Sequence, residues 1–243
     1  MLRRVNRWWM LPVVLVVLLA PPAAFAAAPA CEGGPPTRAL AWRAELVGAT
    51  PVRQHLARPR PGRRALDPDV AEAVLVLAAR ADDRGRCWLH VQLPTRPNGA
   101  RGWINAERVR LRSTPWRIEV SRARRTVTLL RSGRRVLRAR AVVGTADTPT
   151  PTGRFAITTS HRNPPQDFLG AWILPLTAHS TVLDTYDGGD GRVALHGRGG
   201  ESLQDPLGSA ASHGCVRLDN ATISRIVRRI GHRLLAGTPV RIS

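Results

Sequence analysis

Ser212-His213-Gly214-Cys215-Val216-Arg217-Leu218, with Ala194-Leu195-His196-Gly197 upstream of it, is the stretch on which the reading of this chain turns. It sets one cysteine and two histidines in a short window. A free thiol is only a few per cent ionised at neutral pH, so an imidazole that takes its proton turns it into a usable nucleophile. His196 is the candidate base for Cys215. Gly214 lets a substrate carbonyl approach closely. An amphipathic helix is read as beginning at Leu218-Asp219-Asn220, which would leave the N–H groups around Gly214 and Cys215 free to hold a developing oxyanion.

Downstream of the motif, Ile223, Ile226, Val227 and Ile230 recur at helical spacing, with Asp219 or Asn220 as cap and Arg225, Arg228 and Arg229 on the solvent side. Gly237, after Leu234-Leu235-Ala236, is the expected stop, and Val240-Arg241-Ile242 a last strand. Upstream, Trp116, Ile118 and Val120 alternate with Arg117, Glu119 and Ser121, the period of a half-buried strand. Residues 126 to 130 and 135 to 143 read as two more strands about the turn Arg131-Ser132-Gly133-Arg134. Thr148-Pro149-Thr150-Pro151-Thr152-Gly153 reads as a rigid loop, and Phe155-Ala156-Ile157-Thr158 as sheet. Nearer the N-terminus, strands are expected at Cys87-Trp88-Leu89-His90-Val91, Gly102-Trp103-Ile104 and Val109-Arg110-Leu111, with a turn at Arg96-Pro97-Asn98-Gly99. Residues 67 to 80 stay ambiguous: Val70, Ala73, Val74 and Leu77 have helical spacing, whereas Val74-Leu75-Val76-Leu77 equally suits a buried strand. The fold class expected is mainly β, with one substantial helix in the C-terminal region.

The first 26 residues read as a secretory signal: Arg3, Arg4 and Arg7, an apolar run from Trp8 to Ala20, then prolines and the small-residue site Ala24-Phe25-Ala26. An uncleaved anchor and a twin-arginine signal are the alternatives, and Cys31 is a poor match to a lipoprotein site. Residues 27 to 37 then form a linker. The net charge of +20, from 37 basic against 17 acidic residues, suits anionic cell-wall polymers as partners, and export excludes nucleic acid. Every basic residue is arginine, which a GC-rich coding bias explains equally well. Of three cysteines, Cys31 and Cys87 are the expected disulfide pair, with Cys215 free. The alternative leaves Cys31 in a tail and Cys87 as a buried apolar side chain.

The strands and tryptophans of residues 38 to 112 resemble bacterial SH3-like domains, implying a small barrel that contacts cell-wall material. Residues 113 to 243 resemble the L,D-transpeptidase (YkuD-type) catalytic domain. That family shows a His-Gly followed some fifteen residues later by Ser-His-Gly-Cys, and here fifteen residues, 197 to 211, separate His196 from Ser212. Thr150-Pro151-Thr152-Gly153-Arg154-Phe155 and Gly237-Thr238-Pro239-Val240 are similar to two further family segments. The resemblance implies that Cys215 attacks the amide between residues three and four of a peptidoglycan stem peptide, releasing D-alanine. His196 would shuttle the proton, oriented by the carbonyl of Gly197. Transfer to the side-chain amine of another stem gives a 3-3 cross-link, and transfer to water gives an L,D-carboxypeptidase. Periplasm or cell wall is the implied location, with membrane contact only if the leader is retained.

His213, Ser212 and Arg217 complete the candidate set with Gly214. His213 belongs to the family signature and either shapes the pocket or serves as a structural histidine. Ser212 is read as holding the loop together. Arg217 is either a carboxylate-binding fork or an ordinary arginine. Tyr186 and Trp172 are candidates for the groove, the core being the usual place for tryptophan. His196, His213 and Cys215 also make a formal His₂Cys metal set, but their spacing is not that of a structural zinc sequence, and no metal or cofactor is expected. A non-catalytic wall-binding protein, acting through the N-terminal segment, is the remaining alternative.

Overall fold

The computed structural model describes residues 31–56, 64–186 and 188–243, so the signal segment lies outside the described residues. The first unit contains β1 (Ala41–Leu46), β2 (Thr50–Pro51), β3 (Ala65–Leu66), β4 (Ala73–Ala81), β5 (Cys87–Gln92), β6 (Arg101–Asn105) and β7 (Val109–Thr114). Five of these form an antiparallel sheet in the order β6-β5-β4-β1-β7, while β2 and β3 pair with each other. The ambiguous segment is strand β4 and not a helix. It lies between β1 and β5, and Ala73 to Val76 are buried, which is why its apolar run is continuous. Ala44, Val74, Val76, Leu89, Val91 and Ile104 fill this unit's core. Cys31 and Cys87 are joined in a disulfide that fastens the segment before β1 to the start of β5. Strand β7 pairs with β1 as far as Thr114, so the first sheet continues past Arg112, the residue at which it was expected to end.

The second unit contains β8 (Trp116–Ser121), β9 (Thr126–Arg131), β10 (Arg134–Arg140), β11 (Val143–Gly144), β12 (Gly153–Ala156), β13 (His161–Arg162), β14 (Trp172–His179), β15 (Arg192–His196), β16 (Ala210–Ser212), β17 (Val216–Arg217), helix α1 (Asn220–Ile230) and β18 (Pro239–Ile242). One sheet runs β10-β9-β8-β18-β12 and a second β13-β14-β15-β17, with β11 and β16 paired apart. Ser132 and Gly133 both have positive φ, which lets the β9–β10 turn reverse tightly. The segment read as one strand over 135 to 143 breaks after Arg140, because Ala141 and Val142 bond to Arg125 and Arg217 instead of β9.

Helix α1 buries Ile223, Ile226, Val227 and Ile230 against the sheets. Asp219 is its cap, its carboxylate accepting the Thr222 N–H at 2.7 Å. The helix ends at Gly231, not at Gly237. Gly231 has φ 92° and its N–H returns to the Val227 carbonyl, so the chain leaves the helix before Leu234. No helix among the described residues is long and apolar enough to cross a membrane.

The two units share an interface of mixed chemistry. Ala41 and Leu75 of the first sheet pack with Ala156 of β12 in a small buried cluster. Arg43 is 1 % exposed and donates to the carbonyl of Ala236 at 2.7 Å while pairing with Glu45, so a guanidinium is buried with its donors used.

Candidate active site

Strands β15 and β17 are parallel neighbours with Leu195 opposite Val216 and His196 opposite Arg217. Side chains alternate along a strand, so this register turns His196 and Arg217 to one face, and Cys215, two residues before Arg217, to that same face. All three line one cavity of about 40 Å³, together with Phe168, Leu169, Leu183, Tyr186 and His213. Cys215 does not lead directly into a helix N-terminus. Val216 and Arg217 form a strand with β15 first, so the sheet and not the helix sets the position of the sulfur.

The bend bearing the cysteine is stabilised by its own neighbours. Ser212 Oγ donates to the Cys215 carbonyl at 2.6 Å and accepts the Gly214 N–H at 3.2 Å. The Gly214 N–H is therefore committed, contrary to the expected oxyanion role. Among the described residues no protein group accepts the Cys215 N–H, which leaves that donor for an oxyanion. Gly214 itself has φ 114°, a conformation that side-chain-bearing residues rarely adopt. The Thr-Pro-Thr loop braces the bend: Thr148 Oγ1 donates to the Ser212 carbonyl at 3.3 Å, and Thr150 Oγ1 accepts the Gly144 N–H at 2.8 Å.

His196 is 1 % exposed, and its Nδ1 lies 2.8 Å from the Gly197 carbonyl oxygen. A carbonyl only accepts, so Nδ1 carries the proton and the neutral ring keeps its lone pair on Nε2. Burial pulls the imidazole down to about 4, with the Arg217 charge adding to it and the carbonyls of Gly197 and Leu169 opposing. Burial also pushes the Cys215 thiol up, against the Ala194 N–H and the Arg217 charge, which favour the thiolate. At neutral pH the cavity is thus lined by a neutral thiol and a neutral imidazole. Such a pair can act by passing the proton to nitrogen as sulfur attacks.

Arg217 is 4 % exposed. Its guanidinium pairs with the Asp205 carboxylate and lies over the Phe168 ring, 4.8 Å from the centroid, while its Nε has no partner. The fork expected for a substrate carboxylate is thus partly occupied by a protein carboxylate. His213 is exposed at the mouth, its Nδ1 3.4 Å from the Tyr186 hydroxyl, and not in the place of the base. Tyr186 lines the cavity as expected. Trp172 does not: it packs on the core beside His232. Among the described residues, no three His, Cys, Asp or Glu side chains converge as metal donors.

Three residues that support the site were not marked by the sequence. Asp205 holds Arg217. Asn220, considered only as a helix cap, uses its whole amide: Oδ1 accepts from the N–H groups of Ala171 at 2.9 Å and Arg198 at 3.2 Å, and Nδ2 donates to the carbonyls of Pro165 and Arg198, each at 2.9 Å. A Cβ on Gly197 would lie 2.1 Å from this Oδ1, so the residue orienting His196 is glycine because the clamp occupies its side-chain space. Arg96 comes from the first unit. It donates to the carbonyls of Ser180 at 2.8 Å, Leu183 at 2.9 Å and Asp190 at 3.2 Å, tying down the segment that carries the cavity wall at Leu183 and Tyr186. Asn98 adds a two-way bond with the backbone of His179, 2.8 Å in each direction.

Comparison with known proteins bears on this arrangement. No curated protein sequence gives a significant match. Among solved structures, the catalytic domain of the E. faecium L,D-transpeptidase is 20 % identical, covering 53 % of this chain and 96 % of that one, with a TM-score of 0.37. The L,D-transpeptidase from Mycobacterium smegmatis is 16 % identical over 80 % of this chain and all of that one (100 %), with a TM-score of 0.41. The L,D-transpeptidase from Xylanimonas cellulosilytica is 22 % identical, covering 54 % of this chain and 61 % of that one, with a TM-score of 0.39. A longer Enterococcus faecium chain is matched over 49 % of its length. The model of the YkuD family, the L,D-transpeptidase catalytic domain, matches residues 115–242, from the strand after Thr114 to the last strand. That segment is more than half of the sequence and contains every residue of the Cys215 cavity, so the chain belongs to the YkuD family of L,D-transpeptidase catalytic domains.

Proposed function

We propose that the protein is an exported peptidoglycan L,D-transpeptidase that joins stem peptides through a Cys215 thioester. The observation that carries the reading is the shared cavity of Cys215 and His196, with the His196 tautomer held by Gly197. As sulfur bonds to the carbonyl carbon of stem residue three, its proton passes to His196 Nε2, and the oxyanion takes the Cys215 N–H. Collapse breaks the amide to residue four, and the imidazolium protonates the departing amine of D-alanine. An amine of a second stem then attacks the thioester, loses a proton to His196 and restores the thiol. Water in place of that amine gives carboxypeptidase activity.

The resting cavity has room for little more than a water-sized group, so the Phe168–Leu169 and Leu183–Tyr186 edges must part to admit a stem peptide. Residues 1–26 are assigned as the export signal, and the N-terminal unit, whose strands resemble SH3-like domains, as a wall-contacting module of the cell envelope. The test is incubation of the purified protein with tetrapeptide muropeptides, with products read by mass spectrometry. Loss of the terminal D-alanine together with dimers is expected, and both are to vanish in Cys215→Ala. Tripeptide without dimer would select hydrolysis. Unchanged products in Cys215→Ala would end the thiol mechanism.

A further inference from the structure

A second cavity among the described residues is far larger than the catalytic one. It lies where the two units meet, has a volume of about 610 Å³, and shares no lining residue with the Cys215 cavity. Five guanidinium-bearing residues line it, Arg38, Arg101, Arg117, Arg154 and Arg241, and no aspartate or glutamate does. None of the five is in an ion pair among the described residues. An arginine-rich composition scatters positive charge over a surface, but it does not by itself empty such a cleft of acids.

Strand register explains how the charges are arrayed. Arg154 of β12 stands opposite Arg241 of β18, which stands opposite Glu119 of β8, then Thr128 of β9 and Arg138 of β10. The neighbouring row, Phe155, Val240, Ile118 and Leu129, is buried, so this row faces outward. Like charges directly opposite across a ladder destabilise it, and Arg154 and Arg241 are such a pair. The row leads through Arg241 into a further concavity of about 530 Å³ that adds Arg124, Arg135 and Arg138, with Glu119 as its one acidic side chain.

A further observation concerns Gln92, which is 4 % exposed and lines the large cleft. Its Nε2 donates to the Arg154 carbonyl at 2.6 Å, whereas its Oε1 has no partner. Gln92 thus ties the cleft wall to the backbone of the arginine row, while its Oε1 is shielded from the cleft.

We propose that this cleft and the adjoining arginine row bind a peptidoglycan strand through the carboxylates of its stem peptides, at a place separate from the catalytic cavity. The proposal rests on the reading of the protein as a wall enzyme and adds a second wall contact. Guanidinium forks match carboxylates, which stem peptides carry at intervals along a strand. A strand seated here is held on the enzyme while stems exchange at Cys215.

The test uses the whole chain with Cys215→Ala, so that nothing turns over, sedimented with insoluble peptidoglycan stripped of phosphodiester polymers. Arg154→Gln with Arg241→Gln is expected to weaken binding roughly tenfold at low salt, and added salt to weaken the parent protein's binding. Arg154→Lys with Arg241→Lys should recover much of it. The Gln pair, in a chain that keeps Cys215, should leave turnover of a soluble tetrapeptide unchanged and the melting temperature equal or higher, because the opposed charges are gone. Equal binding by the Gln pair, or binding only to phosphodiester-bearing wall or to anionic vesicles, overturns the proposal. If the protein binds stripped wall in this pattern but never turns over tetrapeptide, the catalytic reading fails and the cleft assignment stands.

Discussion

The depressed basicity of His196 makes a sharp prediction about pH. An ordinary histidine titrates near 6.5, and burial with the Arg217 charge brings this one to about 4. The base must be neutral to accept the thiol proton, so the acid limb of kcat/KM, a property of the free enzyme, belongs near 4. At pH 5 about 90 % of the plateau rate should remain, against about 3 % for an unperturbed imidazole. Following release of D-alanine from the tetrapeptide of the proposed reaction at low substrate concentration, across the acid range, measures this directly. An acid limb near 6.5 would refute the desolvation argument. A rate that climbs steadily from neutral to alkaline pH would show that thiol ionisation, and not proton transfer to His196, governs attack. Stability follows the same sign. The folded state holds a neutral ring, so between about 4 and 6.5 the unfolded chain binds the extra proton, and stability is lost as pH falls through that window. The total is about 3 kcal/mol. Removing the ring in His196→Gln should flatten the pH dependence of the denaturation midpoint there.

The supporting residues give further outcomes. Asn220→Ala removes four hydrogen bonds from the Gly197 turn and should cost about 2 kcal/mol of stability and about a hundredfold in kcat/KM, while Asn220→Asp, which keeps the acceptor, recovers part of the activity. Arg96→Ala frees three carbonyls of the wall segment. Acylation should slow by about tenfold, with faster amide hydrogen exchange confined to residues 180–191, and uniform exchange across the chain would show general unfolding instead.

How much of this could be read in the chain depends on the range of each interaction. Strand alternation at Trp116 to Ser121 and the Ile223 to Ile230 spacing report the buried face locally, and the structure buries Ile118, Val120 and the four helix residues, with Trp116 half-buried against the same core. That Cys215 and His196 line one cavity follows from adjacent strands that bring two short motifs together. Helix length was not legible: Gly231 and Gly237 both have positive φ, and only the cap bond to Val227 shows which one ends α1. The strand character of Val216–Arg217 comes from β15, and that of residues 73–81 from β1 and β5, partners that no local window contains. Asp205, Asn220 and Arg96 act through contacts to backbone or charge distant in the chain. Such contacts leave no period and no spacing, so they could only be found in three dimensions.

The disulfide between Cys31 and Cys87 sets a condition on how the chain matures. Under the export proposed above, with the N-terminus crossing first, these two sulfurs would meet an oxidant before the third follows. Consecutive pairing keeps Cys215 out of the exchange, whereas a scrambled bond to Cys215 would unfasten the first sheet and silence the nucleophile at once. On that reading the order of the cysteines along the chain would be a kinetic safeguard, sparing the Cys215 thiol in surroundings that favour its loss.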